Sequence, residues 1–162
     1  MRRTLTALSL SIALLAAAPA SAQRPASRRV ASEPVPAQVL IVLASDAPGT
    51  RDPRLADLLA LRRPPFDSYR SMTLLSSPTI ELRVGEAREV PLPNGRRIRI
   101  VLLEVTEQGR YRLQVSINRP GEQDYLPELN VVASPGDPFF VAGQSYRDGT
   151  LVIGVRLGQR DR

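Results

Sequence analysis

The stretch Val90-Pro91-Leu92-Pro93-Asn94-Gly95-Arg96-Arg97-Ile98-Arg99-Ile100-Val101-Leu102 joins two extended runs at an Asn-Gly pair. Asn-Gly is the strongest short-range hairpin signal, because a two-residue type I′ turn needs positive φ at both central positions and these residues tolerate it. Beyond the pair, Arg97 and Arg99 alternate with Ile98, Ile100 and Leu102, the period of two that marks a strand with one wet and one buried face. The stretch therefore reads as a hairpin in an antiparallel sheet.

Toward the C-terminus the same pattern repeats. Glu107-Gln108-Gly109 turns the chain, and Tyr111, Leu113, Val115 and Ile117 then alternate with Arg110, Arg112, Gln114 and Ser116. A polar loop over 118–124 precedes an extended run from Leu129 to Ala133 and the turn cluster Ser134-Pro135-Gly136-Asp137-Pro138. Phe139 to Ala142 is extended, Arg147-Asp148-Gly149 makes a second hairpin turn, and Leu151, Ile153, Val155 and Leu157 share one face of the closing strand. Gly154 interrupts the opposite face, where a bulge or a close approach is the usual reason.

Toward the N-terminus, Ala87 to Leu92 leads into the hairpin, and Ile80, Leu82 and Val84 alternate with Glu81 and Arg83 ahead of a Gly85-Glu86 turn. Ser68 to Leu75 is a further strand candidate. Val39-Leu40-Ile41-Val42-Leu43-Ala44 is apolar without alternation and is bounded by Gln38 and Ser45-Asp46, so it reads as a central strand buried on both faces. Asp52-Pro53 has the cap and first-turn residues of a short helix, with Leu55, Leu58 and Leu59 on one face and Pro64-Pro65 as its stop. Short strands at regular spacing imply a mainly β fold: an antiparallel β-sandwich or barrel-like domain over residues 38–158, with one short helix near its N-terminus. Residues 159–162 read as a frayed tail.

The first residues have another character. Arg2 and Arg3 precede an apolar run from Leu5 through Ala18, and Ala20-Ser21-Ala22 is a small-residue cleavage pattern, so residues 1–22 read as a secretory signal peptide. The run is shorter than the roughly 20 apolar residues of a membrane span. Residues 23–37, rich in Pro, Ala, Ser and Arg, read as a flexible leader. The expected location is the periplasm or the exterior of a Gram-negative bacterium, with no stable membrane insertion after cleavage. With no cysteine, the domain must rest on packing alone.

The chain also lacks histidine and lysine; its 22 basic residues are all arginine. Serine is left without its usual base, a Schiff base without its amine, and zinc without its common ligands. No phosphate loop or dinucleotide fingerprint is present. No cofactor, no metal and no nucleic acid are expected. Asp46 and Asp52, or Glu122, Asp124 and Glu128, are the carboxylates from which a hydrolase would be built. Arg96, Arg97, Arg99, Arg110 and Arg112 fall on or beside adjacent strands, and a shared face carrying Arg97, Arg99, Arg110 and Arg112 is a candidate surface for an anionic partner such as an envelope polymer.

Val42-Leu43-Ala44-Ser45, Asp52-Pro53-Arg54-Leu55, Phe66-Asp67-Ser68-Tyr69-Arg70, Leu92-Pro93-Asn94-Gly95-Arg96 and Gly149-Thr150-Leu151-Val152-Ile153-Gly154 together resemble a family of small exported proteins from Gram-negative bacteria of the myxobacterial type. That resemblance implies compartment and a β-rich fold, without an activity. The ending Asp148 to Gly154 is also faintly similar to a strand of the secretin outer-membrane rings, with Val155 where those have a second glycine. The expectation is a non-catalytic exported domain that contacts envelope proteins, as an accessory to secretion or pilus machinery. A binder of anionic envelope polymers and a carboxylate-dependent hydrolase are the alternatives.

Overall fold

In a computed structural model, which describes residues 33–119 and 126–158, the chain forms strands β1 (Val35–Ser45), β2 (Ser71–Ser76), β3 (Thr79–Leu82), β4 (Ala87–Pro91), β5 (Arg97–Val105), β6 (Tyr111–Ile117), β7 (Leu129–Ala133), β8 (Phe139–Tyr146) and β9 (Gly149–Leu157). The order in the first sheet is β2-β1-β9-β8, with β3 also paired to β1; in the second it is β4-β5-β6-β7. Every strand pair is antiparallel. The two sheets enclose one apolar core, the β-sandwich read from the strand pattern.

The unbroken apolar run of β1 follows from its position. Val39 and Ile41 point between the sheets, into a core with Leu82, Ile98, Ile100, Leu113 and Ile153. Leu40, Val42 and Ala44 point the other way, onto Leu55, Leu58, Leu61, Met72 and Val152. Successive side chains alternate across a strand, so a strand covered on both faces must be apolar at every position. The cover on the outer side comes from the segment between β1 and β2.

That segment is not the single helix its capping residues suggest. It makes two 3₁₀ turns, Pro53–Leu55 and Leu59–Arg62. Asp52 does cap the first, its Oδ1 accepting the Arg54 N–H at 3.0 Å. The N–H of Leu55 then donates to Asp52 (3.0 Å), that of Leu58 to Leu55 (3.1 Å) and that of Leu61 to Leu58 (3.0 Å). The backbone breaks between the turns at Leu58, at φ −87° and ψ 81°, and Leu55, Leu58 and Leu61 all pack on the outer side of the sheet. Leu59, expected on the buried face, is 61% exposed.

Gly154 is a close approach. A Cβ there would stand 2.6 Å from Cε1 of Phe140 and 3.3 Å from Cβ of Leu40. The missing side chain lets the Phe140 ring lie flat enough on the sheet to meet Phe66 edge-on, with centroids 5.8 Å apart.

The β4–β5 hairpin forms where Asn94-Gly95 places it, but by a different turn. The Gly95 N–H donates to the Leu92 carbonyl (3.1 Å) and the Leu92 N–H to the Arg96 carbonyl (2.8 Å). Gly95, at φ 79°, is in the left-handed region, and Asn94 is not. This is the three-residue loop in which a β-turn precedes one left-handed residue. Pro93 explains the choice: its ring fixes φ near −65°, which suits the first corner of such a turn. Nothing lies within 4 Å of a Cβ built on Gly95. A Cβ at this position therefore meets no clash, and Gly95→Val should cost at least the left-handed conformation, about 1–2 kcal/mol, measurable by urea unfolding; Gly95→Asn should lose less than half of that.

β1 begins at Val35, so Val35, Pro36 and Ala37, read as leader, are strand; they pair with Leu82, Glu81 and Ile80. The signal peptide expected over 1–22, the rest of the expected leader to residue 32 and the expected frayed tail 159–162 lie outside the described residues. No helix among the described residues is long and apolar enough to cross a membrane.

Candidate functional site

The registers of the second sheet map its outer face in rows. At one end Leu103 and Glu104 on β5 stand beside Arg112 and then Val132; the next row is Ala87, Val101, Gln114 and Asn130; the next is Glu89, Arg99 and Ser116. Arg97 lies beyond, opposite Pro91. Arg97, Arg99 and Arg112 thus share one face, with Arg110 continuing it from the turn before β6. They are not one cluster. Four strand residues separate the Arg99 row from the Arg112 row, roughly 13 Å along the strand, with a neutral band between.

Acids are interleaved at both ends. Arg97 Nη1 is 3.3 Å from Glu89 Oε2, and Arg112 Nη1 is 3.6 Å from Glu104 Oε2. Exposed pairs of this kind are weak, but they cancel much of the positive field an anionic polymer would feel. Arg96 leaves the face altogether and donates to Oε1 of Gln144 on β8, tying the two sheets at the hairpin end.

Among the candidate carboxylates, Asp52 has structural work. Asp52 Oδ2 accepts from Arg54 Nη2 at 2.6 Å and from the Leu74 N–H at 3.3 Å, while Arg54 Nη2 donates to the Leu74 carbonyl at 3.1 Å. The pair offers β2 the donor and acceptor that a neighbouring strand would. Hydrogen bonds from the Arg54 side chain, then from its backbone N–H, hold the Asp52 carboxyl well below the usual carboxylate range, against the opposing effect of burial. A general acid must keep its proton near the working pH; Asp52 does the reverse.

A depressed carboxylate stabilises the fold fully above its unfolded value, about 3.9, and less as pH falls through its folded value. The acid loss of stability between pH 5 and pH 3 should therefore be smaller in Asp52→Asn than in the parent, read from urea midpoints. An equal loss in both proteins would contradict the assignment. Of the other candidate acids, Glu122 and Asp124 lie outside the described residues, and Asp46 and Glu128 are exposed. Among the described residues no group of three or more acids gathers that could hold a metal ion.

Arg51 carried no motif. Its guanidinium donates to the carbonyls of Leu61 (2.9 Å), Asp67 (3.2 Å) and Tyr69 (3.0 Å), stitching the two halves of the cover segment to each other. It lines a pocket of about 150 Å³ with Leu55, Leu61 and Met72 that belongs to this packing layer.

The strand edges differ in how they are closed. Thr50 to Asp52 runs along β2, with the Met72 N–H on the Thr50 carbonyl (3.3 Å) and the Asp52 N–H on the Met72 carbonyl (2.8 Å). Arg88 Nε donates to the Glu81 carbonyl of β3 at 3.1 Å. β4 carries Arg88, Glu89 and Pro91. β8 shifts register between Ala142 and Gln144, around Gly143 at φ 117°. Charges, prolines and bulges of this kind are what keep an edge from pairing with another chain. β7, Leu-Asn-Val-Val-Ala, has none of them and among the described residues pairs with β6 alone. Its Leu129 and Val132 are 52% and 49% exposed. An apolar cleft of about 140 Å³ opens at its start between the sheets, lined by Val115, Ile117, Leu126, Pro127, Leu129 and Val141.

Compared with known proteins, the chain matches no family, no curated protein and no solved structure.

Proposed function

We propose that this chain is a non-catalytic exported β-sandwich that acts through protein contacts at the cell envelope, as an accessory to secretion or pilus machinery. The observation that carries the reading is the β7 edge, which among the described residues bears no charge, proline or bulge and pairs with β6 alone, with Leu129 and Val132 exposed beside it and an apolar cleft at its start. An extended partner gains backbone hydrogen bonds along such an edge and side-chain specificity from an adjoining pocket. The secretory pattern of residues 1–22 supports the compartment. The polar groups fit the same view: Asp52, Arg54 and Arg51 hold the cover segment, and Arg97 and Arg112 bridge to acids of their own sheet.

The test is affinity capture from envelope extracts with the parent protein and with Val132→Lys, whose charge falls on an exposed position of the edge. A reproducible protein partner held by the parent and released by the variant is the expected result. Absence of any reproducible partner, or equal capture by both, would contradict the reading.

A further inference from the structure

We propose that a second copy of this chain pairs with β7, antiparallel and about a two-fold axis at Val131, so that the second sheets of two copies become one continuous sheet. This pairing rests on the protein-contact reading and names a partner for its central feature.

An edge strand presents a row of unpaired N–H and C=O groups, and only another strand satisfies that row in register. Among the described residues every other edge of the two sheets is covered, charged, proline-bearing or bulged; β7 is five residues long with no charge and no proline. A two-fold interface must be complementary to itself, and a neutral strand meets that condition without bringing like charges together.

The register follows from length. Centred on Val131, the ladder pairs Leu129 with Ala133 of the second copy and Asn130 with Val132, and so uses all of β7. Any other centre shortens it. The pairing also preserves faces: Asn130 and Val132 are two residues apart and lie on the outer face, beside Gln114 and Arg112 respectively. Leu129, Val131 and Ala133 fall on the inner side, opposite Val115, Leu113 and Tyr111. A slip of one residue would mix the two sets.

Charge complementarity arises at the flanks. Glu128, exposed, immediately precedes β7, while Arg110 and Arg112 lie on or next to β6, one strand behind the edge. In the centred register Glu128 of the second copy comes opposite Ser134, on the same row as Arg110 and one row from Arg112. Two strand spacings, roughly 10 Å, separate those backbones, a gap that the long arginine side chains and the glutamate bridge from both sides. By symmetry this happens twice.

The absence of cysteine from the chain gives a clean test. Residues directly opposed in an antiparallel pair have Cα atoms about 4.5–5.5 Å apart, inside the range a disulfide spans, whereas a separation beyond about 7 Å cannot be bridged. Val131→Cys opposes its own copy. Asn130→Cys opposes residue 132, and its own copy lies roughly 8 Å away given the strand rise and spacing.

Under mild oxidation Val131→Cys should form a covalent dimer at least tenfold faster than Asn130→Cys. The parent protein should sediment as a concentration-dependent dimer, and Val132→Lys should weaken that dimer at least tenfold, with an unfolding midpoint equal to the parent's at concentrations where both are monomeric. Glu128→Arg should weaken it several-fold, with recovery when Arg110→Glu and Arg112→Glu are added. A protein monomeric at every concentration, or equal crosslinking at 130 and 131, overturns the proposal. If the chain is monomeric yet captures an envelope protein through β7, the second copy is wrong and the contact reading stands. If it dimerises through β7 and captures nothing, the pairing stands and the envelope partner is wrong.

Discussion

Replacing Ile153 by Ala should lower the unfolding free energy by about 2–5 kcal/mol. Ile153 is fully buried in the middle of β9, paired with Ile41 on one side and Val141 on the other. Its side chain belongs to the core enclosed by both sheets, which contains Ile98, Ile100 and Leu113 from the opposite one. A cavity there can close only if a sheet moves as a unit, and each sheet is held by its hydrogen-bond ladders, so little of the lost contact is recovered. Urea unfolding at neutral pH with an unchanged slope is the measurement. A loss under about 1 kcal/mol would mean that the site collapses freely and that the sheets are not packed as described.

Gly149→Ala should cost about 3 kcal/mol, at the upper end of what overpacking usually costs. The added Cβ would stand 2.4 Å from the carbonyl oxygen of Ala44 and 3.2 Å from its carbonyl carbon. Those atoms are backbone of β1, which is flanked by β9 and β2 along that stretch and cannot step aside. Gly154→Ala is the informative comparison. Its Cβ also comes too close to a neighbour, but the neighbour is the ring of Phe140, a side chain that can tilt away at the expense of its contact with Phe66. The expected cost is about 1–2 kcal/mol. The reverse order would show that the β8–β9 hairpin is displaced from β1.

Most of the strand pattern is legible in the chain because alternation and two-sided burial act on residues that are near in sequence. β6 alternates cleanly, and β1 is apolar throughout because a cover segment lies on its outer face. What escapes that reading depends on geometry between distant residues. Asn94-Gly95 locates a hairpin correctly, but Pro93 selects a three-residue loop. Leu59 is helical in spacing and exposed in fact, since the chain breaks at Leu58 between two 3₁₀ turns and buries Leu55, Leu58 and Leu61 instead. Arg51 leaves no trace in the sequence because its acceptors lie 10 and 18 positions away.

The arginine face divides in the same way. Period-two spacing places Arg97, Arg99 and Arg112 on one side of the sheet, and that much follows from the sequence. Their separation into two ends depends on the β5–β6 register, with its shift between Leu102 and Glu104, and their acid partners come from β4 and β5. The undefended edge depends likewise on strand order. β7 reads as an ordinary short strand until β6 is seen to be its sole neighbour among the described residues, with the other edges there closed.

The most direct measurement is amide hydrogen exchange across Leu129–Ala133 at two protein concentrations. On an edge strand alternate amides point away from the sheet. If β7 pairs with a second copy, those outward amides should slow at least tenfold as concentration rises, while the amides of β4, an edge closed by charge and Pro91, stay unchanged. Equal rates in β7 at both concentrations would contradict the pairing.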